Sequence, residues 1–476
     1  MCDSVALIPT YPFKKAPPFM KLIFAQIPAL VKLALPICFS QLASIGILTS
    51  DFWMAGRLST FDLATSALST RLYHPFYFMA LGMLAIIAPL TSQALGGGDG
   101  TTARRTYRQG LIIAFVIGLI SIPPVLFGAD ILLFLGQDEA VSRHSESYLF
   151  WTAFGMPFTF VFLTMRFFSS GHGEPAPQLY ATLFGLGLNL VLNECLSQGI
   201  GPFPRMGLEG IALATTISYM VMAISLGAMI GLLSPFRQVS PYQRWWAPDF
   251  EIIKRIFRIG TPNGLLVLSE TGMFITAALM IGLFGTTALA AASVANQIAA
   301  VAFMVPLSMA QAAAIRVGSA AGAGQPHLVS ANGAASMLCG VVISVPLTLV
   351  ILMFPKSLTE IFVRQTDPLF DAVLLFSVPM LLITAIFQIS DSMQAIITAA
   401  LRGLNDTKMP AIIGLFGYWG VGIGSGTCMA FILDWGPVSI WAGLAIGLFL
   451  NAGILLLRWR MRIHAILSGK IPLLII

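Results

Sequence analysis

Residues 260–285 read GTPNGLLVLSETGMFITAALMIGLFG. Between Arg258 and Arg316 lie 57 residues, and Glu270 is the only charged one among them. A helix crosses the hydrocarbon core of a bilayer with about 20 residues, because each residue rises about 1.5 Å. The stretch is therefore long and apolar enough to span, and it carries a carboxylate inside the span. Insertion scales put the cost of a charge there at about 2.5–3.5 kcal/mol. Such a residue needs a reason.

The rest of the chain has the same character. Of its 476 residues 57% are hydrophobic and 10% charged, where soluble proteins are about a quarter charged. The apolar residues run the whole length, which defines a polytopic membrane protein. The net charge of +6 reports topology before it reports any nucleic-acid partner, and no Lys/Arg run with interleaved aromatics supports one. The five cysteines, Cys2, Cys38, Cys195, Cys339 and Cys428, are scattered without a CxxC, so neither a disulfide framework nor a metal site follows. Residues 1–28, with Pro9, Pro12, Pro17 and Pro18, read as an N-terminal tail, and Met20 is an alternative start.

Apolar windows between charged or Gly/Pro punctuation predict twelve spans: roughly 29–56, 61–95, 106–127, 143–170, 176–199, 206–234, 252–284, 287–323, 328–355, 368–402, 406–433 and 436–460. If the N-terminus is cytoplasmic, all but six of the 26 Lys and Arg residues fall at cytoplasmic loops and tails. The exceptions are Arg57, Arg71, Arg143, Arg205, Lys356 and Arg364. The positive-inside rule thus places both termini in the cytoplasm.

The chain also repeats itself. LALP (33–36) lies over RIGTP (258–262), LATSALS (63–69) over LAAASVA (289–295) and QALGGGD (93–99) over SAAGAGQ (319–325), all at an offset of 226. ATLFGLG (181–187) matches IIGLFGY (412–418) through LFG at an offset of 232. The expected architecture is an all-α membrane protein of twelve transmembrane helices, in two pseudo-symmetric six-helix lobes around a central cleft. The lobes are expected at 29–234 and 251–466, with a cytoplasmic linker over 235–250 and a C-terminal tail over 467–476. Its prolines, charges and Trp245 and Trp246 give the linker an interfacial character. Paired parallel lobes suit an alternating-access transporter better than a pore.

Three carboxylates fall well inside predicted spans: Asp51, Glu270 and Asp391. No Lys or Arg is expected at their depth. An acid without a basic partner is neutralised by a proton, a metal cation or a cationic substrate. Asn263, Ser269, Thr271, Ser390 and Ser392 supply neutral oxygens of the kind a small hard cation takes. Asn189 and Asn193, four apart, share one face of the fifth span. Helix-bridging hydrogen bonds and ligand binding both fit that pair. GHGE (171–174) lacks the further His or Cys of a metal site, and GGGDG (96–100) is a turn, not a phosphate loop. Without a nucleotide motif, an ion gradient is the expected energy source.

Five stretches together resemble the multidrug and toxic compound extrusion (MATE) family, in its NorM-type branch. They are LVKLALPICFSQLASIGILTSDFWMAGRLS (30–59), GLGLNLVLNECL (185–196), SETGMF (269–274), PLSMAQAAAIRVGSAAGAG (306–324) and AIFQISDSMQAIITAALRGLNDTKMPAI (385–412). The resemblance covers about 29–460. It implies a two-lobed antiporter that expels amphipathic, often cationic drugs in exchange for Na⁺ or H⁺, without a cofactor. It also implies a plasma-membrane location, the inner membrane in a bacterium. Two lobes make a monomer self-sufficient. By the same resemblance, Asp51 with Asn189, Asn193 and Thr215 forms an N-lobe cation site, and Asn193 stands where the DinF-like branch has Asp. Glu270 and Asp391 form the C-lobe site, a place for Na⁺. Phe387 stands where relatives often carry Tyr: the ring keeps a face for a cation but loses an oxygen. The rival reading is a lipid-linked oligosaccharide flippase of the same superfamily, which would line its cleft with several basic residues. An enzyme would need a nucleophile and base or a metal set, and a channel a ring of like charges.

Overall fold

The structure, a computed structural model, describes residues 19–244, 247–363 and 368–474. Twelve of its helices are long and apolar enough to cross a membrane. They are α1 (Phe19–Leu58), α2 (Thr60–Gly96), α3 (Gly100–Leu126), α4 (Glu139–Gly171), α5 (Ala176–Gln198), α6 (Leu208–Leu232), α7 (Phe250–Gly282), α8 (Thr286–Gly322), α9 (Pro326–Met353), α10 (Phe370–Arg402), α11 (Lys408–Ile432) and α12 (Val438–Leu467). Each answers to one predicted span. An even number of crossings brings both ends of the bundle to one side.

Three features depart from the simple reading. First, α1 begins at Phe19, well before the expected start at 29. Ile23, Gln26 and Leu30 are buried while Met20 and Phe24 are exposed, so the added turns pack one face. The later part of the expected tail is thus helix. Residues 1–18, including Lys14 and Lys15, lie outside the described residues. Second, α2 is broken: Thr60–Leu84 ends and Ile87–Gly96 begins around Ala85–Ile86. Pro89 lacks the N–H that would bond the Ala85 carbonyl and crowds it instead. Third, α11 contains π-helical turns at Phe416–Ile423 and Cys428–Ile432. Such widened turns recur at functional sites.

Between α6 and α7 the chain forms a short helix, Ser234–Arg237, and turns. Arg108 donates from Nη1 to the Gln243 carbonyl at 2.9 Å and from Nη2 to that of Ala247 at 2.9 Å. Gln109 donates to the same Ala247 oxygen at 3.1 Å. The basic start of α3 therefore also binds this segment. Trp245 and Trp246 lie outside the described residues.

The lobes meet along α1 and α2 on one side and α7 and α8 on the other. The 226-residue repeat is visible in this seam. A Cβ on Gly96 would run into the Ser319 carbonyl, and one on Gly322 would run into that of Gln93. Gly96 and Gly322 are repeat partners, and so are Gln93 and Ser319. The two contacts are one contact made twice about a pseudo-twofold axis. Side-chain bonds add to it. Asn263 donates to the Gly82 carbonyl at 2.5 Å, Arg316 to Gln26 Oε1 at 2.7 Å, and Gln93 Nε2 to the Gly403 carbonyl and Asn405 Oδ1, both at 2.9 Å. These bonds lie in the half of the molecule nearest the termini, so the cleft between the lobes is shut at that end.

The RGLNDTKMP stretch sits beneath the seam. Thr407 donates to the Ile259 carbonyl of α7 at 2.7 Å, and Asp406 accepts from Arg458 of α12 at 2.9 and 2.6 Å. Asn405 adopts φ 62°, a left-handed turn that Asn tolerates better than most residues. This stretch positions helices.

Candidate functional site

The N-lobe residues singled out from the sequence come together. Asp51 is buried in α1. Its Oδ1 accepts from Asn193 Nδ2 at 2.8 Å and Asn189 Nδ2 at 3.2 Å, and its Oδ2 from the Thr215 hydroxyl at 2.6 Å. The i, i+4 spacing of the asparagines on α5 aims both amides at one carboxylate. Ser50, which the sequence reading passed over, donates to Asn189 Oδ1 at 2.6 Å and fixes that amide. The acid is thus fully engaged by neutral donors from α5 and α6.

The C-lobe acids are held differently. Glu270, half-buried on α7, receives one amide bond, from Gln394 Nε2 at 3.3 Å. The same amide donates to the Tyr418 hydroxyl at 2.6 Å. Asp391, buried on α10, interacts electrostatically with Glu270, yet its Oδ1 is enclosed without a partner. Gln388, Asp391 and Gln394 stand three apart on one stripe of α10. Both polar atoms of Gln388, Gln394 Oε1 and the Ser392 hydroxyl also lack partners, and all three residues are buried. Native interiors seldom leave such groups unpaired. Asp391 and the neighbouring Gln394, whose amide reaches Glu270, thus leave unpaired oxygens on one stripe of α10, the kind of oxygen that suits a small hard cation or a proton.

Sequence reasoning missed Gln394 and Tyr418. Gln394 was legible as the residue three past Asp391. Tyr418 was not, because its direction depends on the π-helical turn of α11. Of the neutral oxygens expected nearby, Ser392 is unpaired on α10, and Ser390 is buried on the same helix. Ser269 accepts from Trp419 Nε1 at 2.8 Å, and Thr271 bonds its own helix at the Val267 carbonyl. Asn263 belongs to the seam. Phe387 is buried in the C-lobe core with Met273 and Tyr418.

One basic residue is more enclosed than its place near a span end suggests. Arg166 stands in the interior of the N-lobe, 4% exposed. From the sequence it counted with the charges at a span end. Side chains on a helix lean toward its N-terminus, and on α4 that direction leads into the membrane. No group of three or more His, Cys, Asp or Glu side chains suited to a metal occurs among the described residues.

Two repeated six-helix lobes with acids enclosed between their helices define a membrane transporter. A family model, MatE, matches residues 36–194 and 262–426. Its two matches start 226 residues apart and end 232 apart, the offsets of the internal repeat. The chain belongs to the MatE family. It is 35% identical over 431 residues to a probable multidrug resistance protein NorM of Bradyrhizobium diazoefficiens, covering 90% of this chain and 92% of that one. It is 32% identical over 439 residues to one of Pseudomonas putida, covering 92% and 95%. Among solved structures it is similar to the eukaryotic MATE transporter AtDTX14, with TM-score 0.84 and 19% identity over 94% of this chain and 100% of that one. An outward-facing multidrug resistance MATE transporter gives TM-score 0.83 and 20% identity, over 95% and 99%. At such identities the structures speak for the fold.

Proposed function

We propose that this protein is a secondary active efflux antiporter that exports amphipathic, cationic compounds in exchange for Na⁺ or H⁺. The observation that carries the reading is the C-lobe acid pair: two carboxylates inside the membrane, with an enclosed, unpaired Asp391 oxygen. Facing outward, Glu270 and Asp391 take the ion, and drug is released. Facing inward, the ion leaves and the freed carboxylates favour loading a new drug. Coupling requires only that ion and drug differ in their preference for the two states. With both termini cytoplasmic, the shut seam corresponds to the outward-facing state. The plasma membrane, the inner one in a bacterium, is the place where such a pump empties the cell. The flippase alternative is not favoured, because the similar curated proteins are named as probable multidrug resistance proteins.

The test uses purified protein in liposomes loaded with a fluorescent cationic drug. Either an inward Na⁺ gradient at equal pH or an inward H⁺ gradient without sodium is imposed. Efflux under one gradient, lost in Glu270→Gln, is the expected result and names the ion. Folded protein that moves no drug under either gradient would sink the reading.

A further inference from the structure

The π-helical turns of α11 face a residue of α12 that ion binding at Glu270 and Asp391 does not use. Five of the twelve residues from Phe416 to Thr427 are glycine. Each costs a helix interior about 1 kcal/mol against alanine, so the hydrogen-bond ladder here is soft. Its backbone lies directly on α12. A Cβ on Gly443 would run into Gly426, and one on Gly447 into Gly422 and the Gly417 carbonyl. One turn further along the same stripe of α12 stands Asn451, whose amide fills the place a Cβ on Gly417 would take. Asn451 is fully buried, yet neither its nitrogen nor its oxygen has a hydrogen-bond partner among the described residues. Asn189 and Asn263, also enclosed between helices, both donate. Gly417 immediately precedes Tyr418, whose hydroxyl accepts from the Gln394 amide that reaches Glu270.

A helix that passes from i→i+4 to i→i+5 bonding leaves one N–H without a ladder partner where the wide turn begins and one carbonyl where it ends. A side-chain amide offers one answer to each, an acceptor oxygen and a donor nitrogen. The first wide turn of α11 begins at Phe416, next to the glycine that Asn451 touches. Moving that turn by one residue rotates the side chains beyond it by about 100° about the helix axis, which takes the Tyr418 hydroxyl off Gln394. We propose that Asn451 is a positioning residue for the C-lobe ion site. In the inward-facing state α11 takes a second register, in which the Asn451 amide bonds the freed α11 backbone and Tyr418 leaves Gln394. The site then holds its ion less tightly and releases it to the cytoplasm. The inference rests on the antiport reading and adds to it the step that lowers ion affinity on the release side.

Ion-driven efflux of a fluorescent cationic drug from proteoliposomes of the full chain tests it. The lumen, where the ion is released, is given rising sodium or falling pH, whichever ion drives efflux. Asn451→Leu, close in volume and unable to bond, is expected to slow efflux about tenfold. It should also make efflux about three- to tenfold more sensitive to the luminal ion, the scale of one hydrogen bond. In a Tyr418→Phe background the same substitution should leave that sensitivity unchanged, because both residues act through one contact. A slowed variant whose luminal inhibition is unchanged or weaker overturns the proposal and marks Asn451 as structural. Additive effects in the double variant overturn it as well. If the leucine variant does not fold, Asn451→Ala decides by the same two readings. Failure of the export reading shows separately and first, as wild-type proteoliposomes that move no drug under either gradient.

Discussion

Asp51 and Asp391 are both carboxylates inside a membrane, each in one lobe of a repeated fold, and their surroundings are opposite. Asp51 accepts from Asn189, Asn193 and Thr215, so its charge is answered whether or not a cation is present. Asp391 has an enclosed oxygen with no donor and an acid as its neighbour. A carboxylate wrapped in donors can stay ionised and idle. One facing another carboxylate without donors must recruit a proton or a cation. The lobes share a fold and hold their acids in opposite ways.

The sharpest test of that division is ion-dependent stability in detergent. A ligand that binds only the folded state stabilises it by about 2.7 kcal/mol at a hundredfold excess over Kd. Wild type is expected to show a rise in Tm with the coupling ion. Glu270→Gln and Asp391→Asn should show none, and Asp51→Asn should keep it. A flat response in Asp51→Asn would break the comparison. The second effect is one of sign. Without coupling ion, Asp391→Asn should be as stable as wild type or more so, because a buried unpaired charge is removed. Thr215→Val should lose about 1.5–3 kcal/mol, the worth of a hydrogen bond to a charged group; denaturant titration of both variants checks this. The smallest effect is expected at the edge of the C-lobe site. Tyr418→Phe takes away the hydroxyl that accepts from Gln394 and should weaken ion binding about three- to tenfold while leaving fold and N-lobe untouched. Ion titration followed by tryptophan fluorescence measures it.

Much of this was legible in the sequence, and the physics says which part. Spans show because twenty apolar residues have no other common use, and Glu270 shows because a lone charge in such a run stands out. The asparagines of α5 show through their spacing. Neutral polar residues carry a weaker mark: Gln394 shows only through its spacing from Asp391, and Ser50 looks like any serine until the fold brings it to Asn189. Tyr418 is hidden because a π-helical turn breaks the period from which its face would be read. Arg166 misled because a residue number gives the height of a Cα, while a long side chain can place its charge well away from it.

The contact of Gly96 with Ser319, and its mirror between Gly322 and Gln93, is made by backbone against backbone. Ionic strength has little hold on this contact itself, since there is no charge in it to screen. A methyl group has a great deal of hold on it. Alanine at position 96 or 322 would act as a wedge, and because the two positions are related by the pseudo-twofold axis, either wedge would prise at the same joint. One carbon atom in the right place is thus a lever on the closure of the lobes.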